Sequence, residues 1–416
     1  MSTRAGKIGI FMAVIILIYR KSRIAKPGTH LLMKVPSRCK NFLKPLIRAR
    51  AIVYAPLLAG LILVITPSAI EPCPLVIRTG AKQSLQAMMG GYCRINGGTH
   101  QSGPLSGPQI KRRAFVTNSD GDSVSIIDRD TYKVIKTLRV GDYPHHMIVS
   151  KDGRYLYVGN THSDTVSAID LETESIAKVI PLLDPYNLYY TPDQKLLVTT
   201  CTRLGRVEVH AIEEWSQIGE AKGWKRLAQI PTGKDPNHFA FSPDARYMYV
   251  SNEYSHQLSV IDLQERKLAR QIQTGRRPVD VSLAPGGKIL FVANYGEGRV
   301  TAYDTEGFKE LERIQTGAGA HGMAMSVDGK ILFVSNRDAS TVSVIDVASR
   351  RVLQTFKVPQ GPDMLEVTPD GRELWVTGRY GANVFVVDLA TGKVTHRIQT
   401  GAAPHGIVLI DLAAAH

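Results

Sequence analysis

A short hydrophobic phrase with a small or polar end recurs seven times between residues 114 and 378. The copies are AFVTN (114–118), LYVGN (156–160), LVTTC (197–201), MYVSN (248–252), LFVAN (290–294), LFVSN (332–336) and LWVTG (374–378). Their last residues are separated by 42, 41, 51, 42, 42 and 42 positions. Aromatic and β-branched residues that run into a turn former indicate a β-strand. A period of this length built from strands predicts a β-propeller with four-stranded blades.

One repeat, residues 141–183, predicts how each blade is built. Its four strands are expected at 146–150, 155–159, 165–169 and 176–182. The turns between them carry Asp-Gly and Asn, which tolerate positive φ and cap the local backbone. Blade three departs from the pattern at Ala211, and it carries about nine extra residues around Trp215 and Trp224. We expect this insertion on the face opposite the functional site.

The two ends of the repeat region predict how the ring closes. Residues 114–140 supply three outer strands of a blade that lacks its inner strand, and residues 401–410 supply an inner strand with no blade after it. Pairing the two removes two exposed sheet edges. We therefore predict an all-β, seven-bladed propeller over residues 111–412, closed by the C-terminal strand pairing with the N-terminal blade.

The repeat motifs resemble a known family. The V-x-N strand endings, the S-x-D-G turns and the VSVID third strand (Val342–Asp346) are similar to YVTN-repeat seven-bladed propellers over about residues 114–410. Segments 185–189, 317–322 and 362–364 are also distantly similar to d1-haem-type propellers. The resemblance implies an exported binding protein, a surface-layer component or a cofactor-dependent oxidoreductase. The repeat motif is degraded at Cys201 and Gly378.

The formal charge of +14 belongs to the N-terminus and not to the propeller. Residues 1–110 hold fifteen Lys and Arg residues against the single acid Glu71, whereas residues 111–416 hold 36 bases and 36 acids. Bulk charge therefore gives no support for nucleic-acid binding, and no nucleic-acid partner is expected.

The basic N-terminus has the pattern of a targeting segment. Four basic residues precede an apolar run at 51–65 and the small residues at 66–69: Lys40, Lys44, Arg48 and Arg50. This pattern predicts a signal peptide or an uncleaved signal anchor within residues 1–69, with Met33 as a possible true start and a Gly-rich linker at 70–110. We expect a periplasmic or cell-surface protein that meets the membrane only through this segment.

The four cysteines exclude one cofactor and leave one disulfide open. An export route is compatible with a Cys73–Cys93 bridge, and Cys201 is expected to be a buried small residue. The absence of a CxxCH motif excludes covalent c-type haem. The sequence also lacks the G-x-S-x-G elbow and the P-loop motif.

The candidate site is predicted from the starts of the inner strands. Alignment on the preceding residue, usually proline, gives a first ring of His145, Tyr186, Asn237, Val279, His321, Asp363 and His405. The next ring is His146, Asn187, His238, Asp280, Gly322, Met364 and Gly406. Because neighbouring strand residues point to opposite faces, only one ring is expected to face the channel. The first ring brings three imidazoles and a carboxylate together on adjacent blades; if the second faces the channel, the candidates are His146, His238 and Asp280.

Imidazole and carboxylate groups are ligands of Zn²⁺, Cu²⁺ and non-haem Fe²⁺, and His is also an axial haem ligand. His145, His321 and His405 are the metal candidates, although the same residues would also suit a water-filled channel mouth. The loops after each V-x-N add rim residues: Glu253, Tyr254, Tyr295, Arg337, Asp338, Arg379 and Tyr380. Arg337 and Arg379, beside Asp363, are placed to clamp a carboxylate or phosphate.

These observations favour a monomeric binding or scaffold protein. Its His- and Arg-rich funnel face would bind an unknown small ligand or protein partner through His145, His321, Asp363, His405, Arg337, Arg379, Glu253 and Tyr295. The second hypothesis is a metal- or d1-haem-handling propeller related to oxidoreductases. The third is a lactonase-like hydrolase, which would need a bound metal or a general base in the funnel, with Asp363 or Glu253 as the candidate base.

Overall fold

The computed structural model describes residues 110–212 and 224–413. In this part of the chain, 28 strands form seven four-stranded antiparallel sheets, which confirms the seven-bladed propeller. The predicted targeting segment, the Gly-rich linker, Cys73 and Cys93, and most of the blade-three insertion including Trp215 lie outside the described residues. Within them, no helix is long and apolar enough to cross a membrane.

The strands are numbered in chain order, and the four strands of each blade follow one another from the channel outward. Blade 1 contains β28 (Pro404–Ala413), β1 (Ile110–Asn118), β2 (Ser123–Asp128) and β3 (Lys133–Arg139). Blade 2 contains β4 (Pro144–Val149), β5 (Tyr155–Asn160), β6 (Thr165–Asp170) and β7 (Ser175–Pro181). Blade 3 contains β8 (Asn187–Tyr190), β9 (Leu196–Cys201), β10 (Arg206–Ala211) and β11 (Arg226–Pro231).

The remaining blades repeat the same order. Blade 4 contains β12 (Pro236–Phe241), β13 (Tyr247–Asn252), β14 (Gln257–Asp262) and β15 (Lys267–Gln273). Blade 5 contains β16 (Pro278–Leu283), β17 (Ile289–Asn294), β18 (Arg299–Asp304) and β19 (Glu310–Gln315). Blade 6 contains β20 (Ala320–Met325), β21 (Ile331–Asn336), β22 (Thr341–Asp346) and β23 (Arg351–Lys357). Blade 7 contains β24 (Pro362–Val367), β25 (Glu373–Gly378), β26 (Asn383–Asp388) and β27 (Lys393–Gln399).

The ring closes as the sequence predicts. The C-terminal β28 pairs with β1 in antiparallel register from Val116 opposite Ile407 to Ile110 opposite Ala413. Without β28, the N–H and C=O groups on that side of β1 would form an open sheet edge. The last strand of the chain therefore completes the first blade.

The second strand of each blade is apolar without alternation because both of its faces are buried. In blade 5, Phe291 belongs to a buried cluster that includes Leu332 of blade 6. Its neighbour Leu290 points the other way, into a cluster with Tyr249 of blade 4. Each blade is thus packed between two others, and the core consists of layers between blades. Cys201, at the end of the second strand of blade 3, is fully buried, and burial raises the pKa of its thiol.

The side-chain amide of the Asn that ends the repeated phrase stabilises the turn that follows it. Asn336 Nδ2 donates to Thr341 Oγ1 and to Ser343 Oγ, both at 3.0 Å. A Cβ atom on Gly317 would lie 2.9 Å from Asn336 Cγ, so the loop that precedes β20 needs glycine at this point. Gly before the inner strand and Asn at the end of the second strand therefore recur together because they meet in the same loop.

The residue before that Asn, or before Gly378 in blade 7, connects one blade to the next. Thr377 Oγ1 donates to the carbonyl of His405 at 2.9 Å and accepts from Met364 N at 2.9 Å. Ser335 Oγ likewise donates to the carbonyl of Asp363 at 2.6 Å. Thr117 Oγ1 donates to the carbonyl of His145 at 2.8 Å. A buried hydroxyl thus fixes the backbone at the start of the next inner strand.

We expect Thr377→Val to lower the free energy of unfolding by about 1–3 kcal/mol, because valine has the same shape but leaves the His405 carbonyl and the Met364 N–H unpaired. Urea unfolding followed by tryptophan fluorescence measures the loss. The matched control is Thr391→Val in an exposed turn, where Thr391 Oγ1 donates to Asp388 and the loss should be smaller. Equal losses in the two variants would contradict the connecting role of Thr377.

Candidate metal centre

Inner strands begin with a β-bulge, and the bulge decides which side chains enter the channel. In blade 2, Pro144 pairs with Asn160, but the next pair is Met147 with Val158. The inner strand therefore has one extra residue at this point, and the regular alternation of side chains is interrupted. Blades 4, 6 and 7 show the same shift of register. The expectation that a single ring faces the channel does not hold, because both rings contribute.

Five imidazoles from four blades meet in the channel and form a histidine cluster: His145, His146, His238, His321 and His405. None of them is more than 4% exposed. The ring centroids of His145 and His405 are 3.7 Å apart, and those of His146 and His238 are 4.5 Å apart. Tyr186 covers one side, with its ring centroid 4.0 Å from that of His145.

The carboxylate of Asp363 supports the cluster from blade 7 and is fully buried. Its Oδ2 atom lies 2.7 Å from His405 Nδ1, and its Oδ1 atom lies 3.0 Å from His321 Nδ1. Arg337 donates to Oδ1 through Nη2. Burial alone would raise the pKa of this carboxyl, but Arg337, His321 and His405 hold it well below its usual range. Asp363 is therefore an anion at neutral pH.

The carboxylate fixes the tautomer of His405. Since Nδ1 carries the proton that is donated to Asp363, Nε2 presents a lone pair to the channel. That Nε2 atom lies 3.3 Å from Nε2 of His146. In a tetrahedral zinc site with Zn–N bonds of 2.0–2.1 Å, two ligand atoms are roughly 3.3–3.4 Å apart. This spacing fits two ligands of one ion, and it equally fits a hydrogen bond from His146 Nε2–H to His405 Nε2 when no ion is bound.

His145 completes a group of three. One ring nitrogen from each of His145, His146 and His405 lies within 4.8 Å of the others. The Nδ1 atom of His145 is buried and has no hydrogen-bond partner among the described residues. Burial lowers the pKa of His145 and His146 well below the ordinary value, and it lowers that of His405 to about 3. All three rings are therefore neutral at pH 7, the form that binds metal ions.

His321 was a predicted metal candidate, but its ring is engaged elsewhere. Its Nε2 atom lies 2.6 Å from Arg337 Nη2 and accepts from that group, while Nδ1 faces Asp363. His146 takes the third place in the group of three. Sequence alignment assigned His146 and His238 to the other ring, because a bulge leaves no mark in the order of hydrophobic and polar residues.

The other predicted residues form the rim. Arg379 Nη2 donates to the hydroxyl of Tyr143 at 2.8 Å, and its Nε atom lies 4.0 Å from Asp363 Oδ2. Tyr295 lies beside His321, with ring centroids 6.2 Å apart, and its hydroxyl donates to Asp338 at 2.7 Å.

Glu253 belongs to a separate group on blade 4. It accepts from Arg277 Nε at 2.9 Å and from Asn237 Nδ2 at 3.1 Å. The structure therefore gathers His145, His321, Asp363, His405, Arg337 and Arg379 around one point, with Tyr295 at its margin and Glu253 apart.

Comparison with known proteins identifies the family. The profile of the YncE-like β-propeller family matches residues 85–415. The chain belongs to this family. The match confirms the resemblance inferred from the repeats. The YncE proteins of Salmonella typhi and Salmonella typhimurium are each 42% identical over 48 residues, which is 12% of this chain and 14% of each relative. The chain thus matches about one seventh of the length of these curated relatives.

Several solved structures share the propeller fold. Kuenenia stuttgartiensis hydrazine synthase has a TM-score of 0.58 and 23% identity, covering 72% of this chain and 99% of that one. The Pseudomonas aeruginosa periplasmic gluconolactonase PpgL has a TM-score of 0.60 and 19% identity, covering 73% and 99%. The dihydro-haem d1 dehydrogenase NirN has a TM-score of 0.57 and 18% identity, covering 73% and 76%. At these identities the likeness shows the fold alone.

Proposed function

We propose that this YncE-like propeller is a binding protein that holds a transition-metal ion at the centre of its channel. His145, His146 and His405 are the ligands, and Asp363 orients His405. The observation that carries the proposal is the 3.3 Å separation of the Nε2 atoms of His146 and His405 within the buried histidine cluster. The basic and apolar pattern of residues 40–65 supports a location outside the cytoplasm.

The arrangement has histidine ligands, a carboxylate that orients one of them, and an open coordination position. A carboxylate that accepts from the non-ligating nitrogen of a histidine ligand fixes the ring and raises its basicity, which is the relation of Asp363 to His405. Imidazole ligands suit Zn²⁺, Cu²⁺, Ni²⁺ and Fe²⁺. Three protein ligands leave one position of a tetrahedral ion open, as in catalytic zinc sites.

The binding proposal is preferred to a hydrolase that uses Asp363 or Glu253 as general base, because both candidate bases are occupied. Asp363 is paired with Arg337 and two imidazoles. Glu253 is paired with Arg277 and accepts a further hydrogen bond from Asn237. Neither carboxylate is free to accept a proton from a substrate.

The proposal predicts that the full chain, after treatment with a chelator, binds one equivalent of Co²⁺ or Zn²⁺. Cobalt binding is measured by its visible absorption, and zinc binding by calorimetry. His146→Ala and His405→Ala should each weaken binding on the order of 100-fold, because a ligand contributes at least as much as its supporting partner.

The control is His396→Ala, on the exposed outer strand of blade 7, where the ring stacks on Tyr132. This variant should bind cobalt as the parent does. A parent protein that binds no metal, or stoichiometric binding that persists in both His146→Ala and His405→Ala, would overturn the proposal.

A further inference from the structure

Two arginines lie close to the metal centre. Arg337 and Arg379 are 18% and 14% exposed in their side chains, and both lie beside the carboxylate of Asp363. A second buried carboxylate, that of Asp280, lies 3.3 Å from His238 Nδ1. These two carboxylates balance the two guanidinium groups, so a divalent ion on the three histidines would give the site a net positive charge. Such a charge in a mostly buried site is costly unless an anion compensates it.

The guanidinium group of Arg379 has N–H donors available to bind a ligand. It donates through Nη1 to Ser119 Oγ at 3.1 Å and to the Ala403 carbonyl at 3.2 Å, and through Nη2 to Tyr143 at 2.8 Å. These acceptors are uncharged. An arginine has five N–H donors, so Nε–H and one Nη2–H remain, and the nearest Asp363 oxygen to Nε is at 4.0 Å.

Two other arginines, Arg277 and Arg203, lack this capacity. Arg277 Nε lies 2.9 Å from the Glu253 carboxylate. Arg203 Nε lies 3.0 Å from the Asp184 carboxylate. Both therefore have a carboxylate in direct hydrogen-bond contact, whereas the hydrogen bonds of Arg379 go to uncharged acceptors and its nearest carboxylate oxygen, Asp363 Oδ2, lies 4.0 Å away.

Arg379 is within reach of the histidine cluster. Tyr143, which accepts from its Nη2 atom, stacks on His145 with ring centroids 5.6 Å apart. The Asp363 Oδ2 atom that lies 4.0 Å from Arg379 Nε also lies 2.7 Å from His405 Nδ1. A further buried donor beside Asp363, Arg337 Nε, has no hydrogen-bond partner among the described residues.

We infer that the open position of the metal centre receives an oxyanion, a carboxylate or phosphate group, and that Arg379 binds the same group from the rim. The inference rests on the proposed metal centre. The planar fork of arginine matches two oxygens of such a group, and an oxygen is also a common ligand of the metal ions that bind imidazole. The ligand class of the propeller is therefore a small molecule or peptide that presents one oxyanion to the funnel.

The test uses the full chain at saturating Co²⁺ and constant ionic strength. Acetate and inorganic phosphate are titrated separately, and the change in the cobalt absorption reports an anion that enters the coordination sphere. We expect a saturable change, and we expect Arg379→Gln to weaken it about tenfold or more. The control is Arg277→Gln, in the separate Glu253 group, for which the anion titration should match that of the parent.

The possible outcomes distinguish a failure of the anion inference from a failure of the proposed metal centre. Tighter binding of acetate than of phosphate identifies a carboxylate ligand, and the reverse order identifies a phosphate ligand; either supports the inference. If the protein binds cobalt but neither anion changes its spectrum, or if Arg379→Gln and Arg277→Gln behave alike, the inference is wrong while the metal centre stands. If cobalt does not bind to the parent, both are wrong.

Discussion

Replacement of Asp363 by Asn should destabilise the protein by about 3–5 kcal/mol, the loss typical when one partner of a buried charge pair is removed. The fully buried carboxylate accepts from Arg337 and His405 and faces His321. An asparagine offers one acceptor oxygen in place of two, and its amide group would face donors. The Arg337 guanidinium would remain buried without an anion. The same change should lower metal affinity about 10–100-fold, because His405 would lose its orienting partner.

Urea unfolding and cobalt titration of Asp363→Asn measure the two effects. Asp338→Asn is the matched control, since this rim carboxylate accepts from the exposed hydroxyls of Tyr295 and Tyr380 and should contribute less than about 1 kcal/mol. Adding Arg337→Met to Asp363→Asn should recover part of the stability, because it removes the unpaired charge. An Asp363→Asn protein as stable as Asp338→Asn would show that the carboxylate is not the anchor of the site.

The sequence predicts the fold well because the repeat records requirements of the backbone. Asn336 and Gly317 recur in equivalent form since the turn needs both an amide and a residue without Cβ. Leu290 and Phe291 are apolar because they face two different neighbouring blades. Such constraints act within 42-residue units and are visible as periodicity. Ring closure follows from the same count, since an incomplete first blade needs β28.

The site is less predictable because it depends on contacts between blades and on one local irregularity. Alignment places His145, Asp363 and His405 at equivalent positions, and these three do meet. His146 follows His145 directly, so strand alternation assigns it to the opposite side. The bulge between Pro144 and Met147 interrupts that alternation, so the His146 side chain also faces the channel. Likewise, the positive charge of Arg337 is predicted to be available for a ligand, whereas the structure uses it to pair with Asp363.

Acidification of the metal-free protein should reduce its stability through the buried histidines. His145, His146 and His405 have folded pKa values far below the ordinary value of 6.5. Below pH 6.5 the unfolded chain therefore binds protons that the folded state rejects, and stability falls as pH decreases from 6.5 toward the folded pKa values. Each such histidine contributes a loss of roughly 1.4 kcal/mol for each pH unit in that window. The Asp363 carboxyl is not involved there, because its folded pKa is lower than the usual value and its contribution is lost only in stronger acid.

Two carboxyls oppose this trend and must be separated from it. Burial raises the pKa of Glu366 to about 7 and that of Asp235 to about 6. Protonation of these groups favours the folded state, so each adds stability as pH falls through its folded pKa toward its unfolded value. Glu366→Gln removes the larger of the two effects, and we expect it to steepen the loss of stability in acid by about 2 kcal/mol between pH ~7.5 and ~5.5.

The decisive measurement compares the parent with the double variant His145→Gln/His146→Gln. The free energy of unfolding in urea is determined with a chelator present at pH ~7.5 and at pH ~5.5. The parent should lose roughly 3 kcal/mol more than the double variant between the two conditions, since two neutral imidazoles no longer exclude protons from the folded state. Equal losses would mean that these imidazoles titrate in the folded protein as they do in water. The metal centre also requires neutral imidazoles at these two positions, so this comparison tests the chemistry of the site without any metal.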